Sequence, residues 1–171
     1  MKKLFITAIL FLGFAFSAQS QNISKNALGL RLGDNDGFGG ELSYQRKLSG
    51  KNRLELDLGW RNRGNYYNGY GDNTGIKLAG LYQWVWNIDG DFNWYAGLGG
   101  GLGNESFDYK INNVVYSGSY TYGFLAGNIG IEYDFDIPLL ISLDFRPEFY
   151  LSDSVARGYG SDIGLGIRYQ F

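Results

Sequence analysis

The chain contains no cysteine and no histidine. The first absence removes disulfide staples and thiolate metal sites. The second removes any Ser–His pair and every imidazole ligand. Charge of one sign is lacking too: the net charge of −2 offers no basic field for nucleic acid. Only two prolines occur among 171 residues, so the 27 glycines do not belong to a disordered Pro/Gly tract. After the first 20 residues there is no apolar run of about 18, which excludes a spanning helix in the remainder.

What the sequence does have begins at the N-terminus. Lys2 and Lys3 form a basic start, Leu4 to Phe16 is apolar, and the small residues Ala18 and Ser20 precede Gln21. This order predicts a cleaved secretory signal peptide over residues 1–20. One domain over residues 21–171 remains, roughly 150 residues, with no linker inside it.

A period of two recurs through that domain, the mark of half-buried strands. Leu28, Leu30 and Leu32 alternate with Gly29 and Arg31. Leu54, Leu56, Leu58 and Trp60 alternate with Glu55, Asp57, Gly59 and Arg61. Further segments repeat the pattern at 41–45, 76–86, 92–103, 120–133, 139–149 and 163–171. These eight segments predict an all-β, antiparallel, up-and-down transmembrane β-barrel, each strand about the 9–11 residues of a tilted span. Tight turns are expected at Ser49–Asn52, Asn87–Asp91 and Asp134–Pro138. Long loops are expected at Asn62–Gly75, Asn104–Ser119 and Leu151–Ser161. Short turns at one end and long loops at the other suit a barrel entered from the periplasm. Pro147 cannot donate a ladder hydrogen bond and predicts a bulge or strand end.

The two faces differ. One is apolar, with Tyr44, Tyr82, Trp84, Trp86, Phe92, Trp94, Tyr133, Tyr169 and Phe171 toward the short turns and Trp60, Tyr120 and Phe149 toward the loops, as two interface girdles. The other carries Arg31, Glu41, Glu55, Asp57, Arg61, Lys77, Glu132, Asp144, Arg146, Glu148 and Arg168. An Arg or Lys on the lipid side at mid-strand costs about 2–4 kcal/mol, so this face turns inward, where acids and bases can pair. A soluble lipocalin-like barrel would place the same two faces the other way round. The terminal aromatics favour the membrane.

The final Ile167-Arg168-Tyr169-Gln170-Phe171 alternates apolar residues and ends on Phe. It resembles the C-terminal signature by which outer-membrane barrels are recognised for insertion, with Ile167, Tyr169 and Phe171 as its apolar positions. At the level of pattern, residues 22–171 resemble small eight-stranded bacterial outer-membrane barrels of the OmpA/OmpX type. The resemblance implies residence in the bacterial outer membrane and contact with membrane lipid, lipopolysaccharide and the outer-membrane assembly machinery. Nothing follows the eighth strand, so a periplasmic domain of the OmpA kind is not expected.

No catalytic, cofactor or metal site is legible. The carboxylate pair Glu55 and Asp57 lies beside basic residues and reads as structural. Asp34-Asn35-Asp36-Gly37 lacks the downstream Glu of a calcium loop and reads as a turn. The Gly97–Gly103 run opens no helix and is no phosphate loop. The segment RNRGNYYNGYGDNTG, with Tyr66, Tyr67 and Tyr70, has the Tyr/Gly/Asn mix of adaptable recognition loops. The expected function is a structural or cell-surface interaction barrel, not an enzyme, with the lumen plugged by charge. The alternative is a narrow, porin-like channel for ions or small solutes. Eight strands leave an interior only wide enough for side chains to fill.

Overall fold

The computed structural model describes residues 23–33, 39–64, 72–111, 114–151 and 158–171. The signal segment, the Asp34–Gly37 turn and the loop tyrosines Tyr66, Tyr67 and Tyr70 lie outside them. Eight strands follow in chain order: β1 Asn26–Gly33, β2 Gly40–Lys47, β3 Asn52–Gly64, β4 Asp72–Asp89, β5 Phe92–Ile111, β6 Val114–Asp134, β7 Leu139–Tyr150 and β8 Tyr159–Gln170. Each pairs antiparallel with its neighbour in sequence, and β1 pairs with β8 from Ala27↔Gln170 to Gly33↔Gly164, which closes the ring. Closure leaves no edge along the wall.

Several strands run longer than their alternation. The expected loop at Asn104–Ser119 is instead a two-stranded ribbon: β5 and β6 stay paired to Ile111↔Val114. The expected loop at Asn62–Gly75 is shortened in the same way, with β3 and β4 paired to Gly64↔Asp72, and β8 begins at Tyr159. Above the apolar belt both faces of a ribbon meet water, so ladder hydrogen bonds persist without any period-two signal. At the other end the turns are tight. Gly90 takes φ +52° in the β4–β5 turn, and the Asn87 side-chain amide donates to its carbonyl at 2.7 Å. The β6–β7 ladder pairs Ala126 with Glu148 and resumes at Ile129↔Phe145. The skipped stretch contains Pro147, which has no N–H to give.

Glycine is required where the backbone of a neighbouring strand approaches most closely. A Cβ on Gly29 would strike the Ile167 carbonyl and lie 2.6 Å from Arg168 Cα; one on Gly99 would strike the Gly80 carbonyl and lie 2.8 Å from Leu81 Cα. Gly29 is on β1 and Gly99 on β5, four strands apart, so the two tight approaches face each other across the ring.

The outer surface is apolar: Leu28, Leu30, Leu42, Leu58, Ile76, Leu78, Leu98, Leu125, Ile129, Leu143, Ile163 and Ile167 are all exposed. The most buried large side chains are Arg31, Arg53, Arg146 and Arg168. A water-soluble barrel has the opposite arrangement, which decides between the two readings of the alternation. Lower-girdle rings touch in series, with Trp86 stacked on Trp94 at 4.3 Å, Phe92 against Tyr133 at 4.6 Å and Tyr133 against Phe135 at 4.5 Å.

Candidate functional site: an ion-paired lumen

Residues that alternate with the apolar stripe point into the ring, where no bulk water solvates them. Among the described residues, Glu41, Glu55, Asp57, Glu105, Glu132, Asp144, Glu148 and Asp162 are buried there with Arg31, Arg53, Lys77, Arg146 and Arg168. Acids outnumber bases, and Arg31 and Arg146 compensate by bridging three carboxylates each.

Arg31 on β1 donates to Asp144 at 2.6 Å, to Glu41 at 3.1 Å and to Asp162. Arg146 on β7 donates to Glu41 at 3.1 Å, Glu55 at 3.0 Å and Asp57 at 2.6 Å. Arg168 on β8 donates to Ser43 at 2.9 Å, Ser142 at 2.8 Å and Glu55 at 3.2 Å. Glu55 and Glu41 thus join three guanidinium groups into one network. Lys77 lies 2.8 Å from Glu148 and 3.5 Å from Glu41, tying β4 to it. Charge-assisted pairs of this kind are the strong ones, and they offset desolvation only when the remaining lone pairs are also met. Gln45 and Tyr95 supply such contacts, to Glu55 at 2.6 Å and Asp144 at 3.3 Å.

Inward glycines make room for the guanidinium groups. A Cβ on Gly164 would fall on the Arg31 guanidinium; one on Gly166 would fall on Arg168 Nη1 and Ser142 Oγ. The wall is thin where the arginines lie against it.

Two further layers cap the network. Toward the short turns, Arg53 holds Glu132 at 2.7 Å and Gln83 at 2.6 Å, with its guanidinium 4.8 Å from the Tyr95 ring centre. Below it opens a polar vestibule of about 220 Å³ lined in part by Gln45, Asn93 and Asp134. Toward the long strands, Tyr122, Phe124 and Tyr150 pack together, Tyr150 lying 5.4 Å from Tyr122. Above them Arg61 meets Glu105, with side chains 18% and 10% exposed, and Tyr120 donates to Glu105 at 3.0 Å.

Ten of the eleven charges expected in the lumen are buried there; Arg61 is half-buried at its mouth. Tyr120, expected in the outer girdle, instead lines the lumen, because it shares the parity of Tyr122 and Phe124. Ile167, Tyr169 and Phe171 all face outward, with Phe171 60% exposed and stacked near Tyr169. Three members escape the sequence reading: Arg53, Asp162 and Glu105. Arg53 and Asp162 each lie one residue before a segment's first apolar position, and Glu105 lies two residues past a segment's end. Each keeps its strand's inward parity, so extending the alternation by two residues finds all three.

A closed ring of eight next-neighbour strands, apolar outside and ion-paired within, defines a transmembrane β-barrel. Solved structures of that class superpose on this chain. Ail, the attachment invasion locus protein of Yersinia pestis, is 18% identical, with a TM-score of 0.55 over 86% of this chain and 97% of Ail. Neisserial surface protein A is 12% identical, with a TM-score of 0.55 over 85% of this chain and 94% of that one. A de novo designed transmembrane β-barrel is 13% identical, with a TM-score of 0.50 over 90% and 100%. At such identities the likeness is one of fold, and a designed barrel shares it equally. No protein-family model matches the sequence, and no curated protein matches it.

Proposed function

We propose that the chain is an integral bacterial outer-membrane barrel, exported by a cleaved signal peptide, that acts as a sealed anchor rather than as a channel or an enzyme. Its short turns face the periplasm. The β5–β6 ribbon faces outward for an external partner, a role that the Tyr/Gly/Asn composition around Tyr66, Tyr67 and Tyr70 suits. Ile167, Tyr169 and Phe171 present the signal to the assembly machinery. The observation that carries this reading is the Arg146 guanidinium, fully buried and bonded to Glu41, Glu55 and Asp57 across the lumen. An ion or solute passing through must break those bonds and strand buried charges, which is costly. Ail is named for attachment and invasion, and a surface-exposed ribbon on a sealed barrel agrees with a role of that kind here.

Planar-bilayer recording tests the seal. Purified protein is expected to give no steady conductance, while Arg146→Ala with Arg31→Ala is expected to give some. A stable, well-defined current from the unaltered protein moves the narrow-channel function ahead.

A further inference from the structure

The β5–β6 ribbon has one open edge that nothing blunts. On β6, Val114–Tyr122 pairs with β5 alone among the described residues, because the ladder to β7 begins at Phe124↔Tyr150. The Leu151 N–H donates to the Gly123 carbonyl at 2.9 Å, so the backbone of Gly123 faces away from β5. Alternate residues of an antiparallel strand share that direction. The N–H and C=O groups of Val115, Ser117, Ser119 and Thr121 therefore face the open side, and all four residues are exposed.

Natural proteins protect such edges with charge or proline. The other edge of the ribbon follows that rule: past its last pair with β4, Asn73↔Phe107, β5 carries Asp108 and Lys110. The β6 edge does not. Its run Val-Val-Tyr-Ser-Gly-Ser-Tyr-Thr-Tyr has no charged residue and no proline. It also reads nearly alike in both directions about Gly118. An antiparallel second copy centred there sets Ser117 opposite Ser119, Tyr116 opposite Tyr120 and Val115 opposite Thr121. The parity is the right one. Residues whose backbone faces the open side meet one another, and each such pair exchanges two hydrogen bonds, about eight in all. Gly118 falls on the two-fold axis in a non-bonded pair, where strands approach most closely. The aromatic and β-branched pairs favour the match, and no like charges are opposed.

We propose that the β6 edge docks the β6 edge of a second copy of this chain, and that the pair bridges two membranes. The contact is isologous, and strand addition supplies its main-chain bonds. Barrels inserted the same way in one membrane run their β6 strands in the same sense. Antiparallel edges therefore meet head to head, across the gap between two facing membranes. The inference rests on the outward-facing ribbon of the proposed function and names its partner.

The full mature chain, refolded in detergent micelles and in phosphatidylcholine vesicles, supplies the test. Heat-dependent gel mobility reports the folding of every variant. Sedimentation equilibrium is expected to show a concentration-dependent dimer in micelles, and light scattering to show clustering of the vesicles. Ser117→Lys with Ser119→Lys sets like charges opposite each other and is expected to abolish both. The chain has no cysteine of its own, so register is read by cross-linking. Chains carrying Val115→Cys are expected to join chains carrying Thr121→Cys through a short thiol cross-linker far more than either joins itself. This second measurement decides the matter should the Lys variant fold poorly. A monomer at every concentration with dispersed vesicles overturns the pairing, as does clustering that survives the Lys substitutions or cross-linking without preference for the mixed pair. A dimer in micelles with dispersed vesicles keeps the edge contact and overturns the bridge. Failure to insert into vesicles overturns the membrane reading and the bridge with it.

Discussion

Arg146 on β7 reaches Glu55 on β3 at 3.0 Å, a bond between strands four places apart in a ring of eight and therefore across its full width. The same guanidinium holds Asp57 and Glu41, so one side chain braces β7 against β2 and β3. Arg146→Ala leaves three buried carboxylates short of a partner. A loss on the order of 3–5 kcal/mol is expected, read as a lower urea midpoint in refolded protein. Arg46→Ala, on the exposed outer wall, serves as control and is expected to leave the midpoint within error. Equal midpoints for the two variants would mean that water reaches Arg146.

Gly99 sets the shape of the wall where Arg146 sets its filling. A Cβ there meets the backbone of β4 rather than a movable side chain. Gly99→Ala is therefore expected to block folding into the heat-modifiable form. Gly50→Ala, in a turn with nothing within 4 Å of the added carbon, is expected to fold as before. Normal folding of the Gly99 variant would show that β4 and β5 can separate there at little cost.

How far the barrel was legible in the sequence depended on where each residue lies relative to lipid. Between Leu54 and Trp60 every outward position must be apolar and every inward one need not be, so the period of two is complete, and Glu55 and Asp57 declare their side. At Phe107 and Asp108, and from Val114 to Ser117, both faces meet water, the constraint disappears, and a paired ribbon reads as a loop. Tyr120 suffers from the same fading: an aromatic near a strand end looks like a girdle residue, and only parity with Tyr122 and Phe124 places it inside. The pairing of acid with base was not legible at all. It depends on the stagger between strands, which brings Arg146 to Glu55 and Arg31 to Asp144, and alternation along one strand carries no information about stagger.

Phe171 and Tyr169 extend the girdle at the seam where β8 meets β1. The Phe171 N–H donates to the Asn26 carbonyl at 2.9 Å, and Asn26 N–H returns the bond at 3.0 Å. A change to Asp places a charge among the girdle aromatics at the seam that closes the ring. Phe171→Asp is expected to lower the folded protein in outer-membrane fractions severalfold. Val115→Asp, an exposed position on the β5–β6 ribbon, is expected to leave it unchanged. Equal yields would remove the C-terminal residues from any role in insertion.

Arg53 and Glu132 form the floor between the vestibule and the central network, 2.7 Å apart and both nearly inaccessible. A buried pair is weak grounds for stability, because desolvation of both ions consumes most of their attraction. Breaking it from one side is another matter, since the surviving ion has no solvent. Arg53→Met alone and Glu132→Leu alone are each expected to cost about 3–5 kcal/mol, and the double variant much less than their sum. The two together keep an apolar filling of similar volume, so the double variant is expected to stay sealed in planar bilayers. A double variant as unstable as the sum of the singles would show that the two residues act independently. Conductance from the stable double variant would assign the seal to this pair rather than to Arg146, and would place the narrowest point of the lumen near its short-turn mouth.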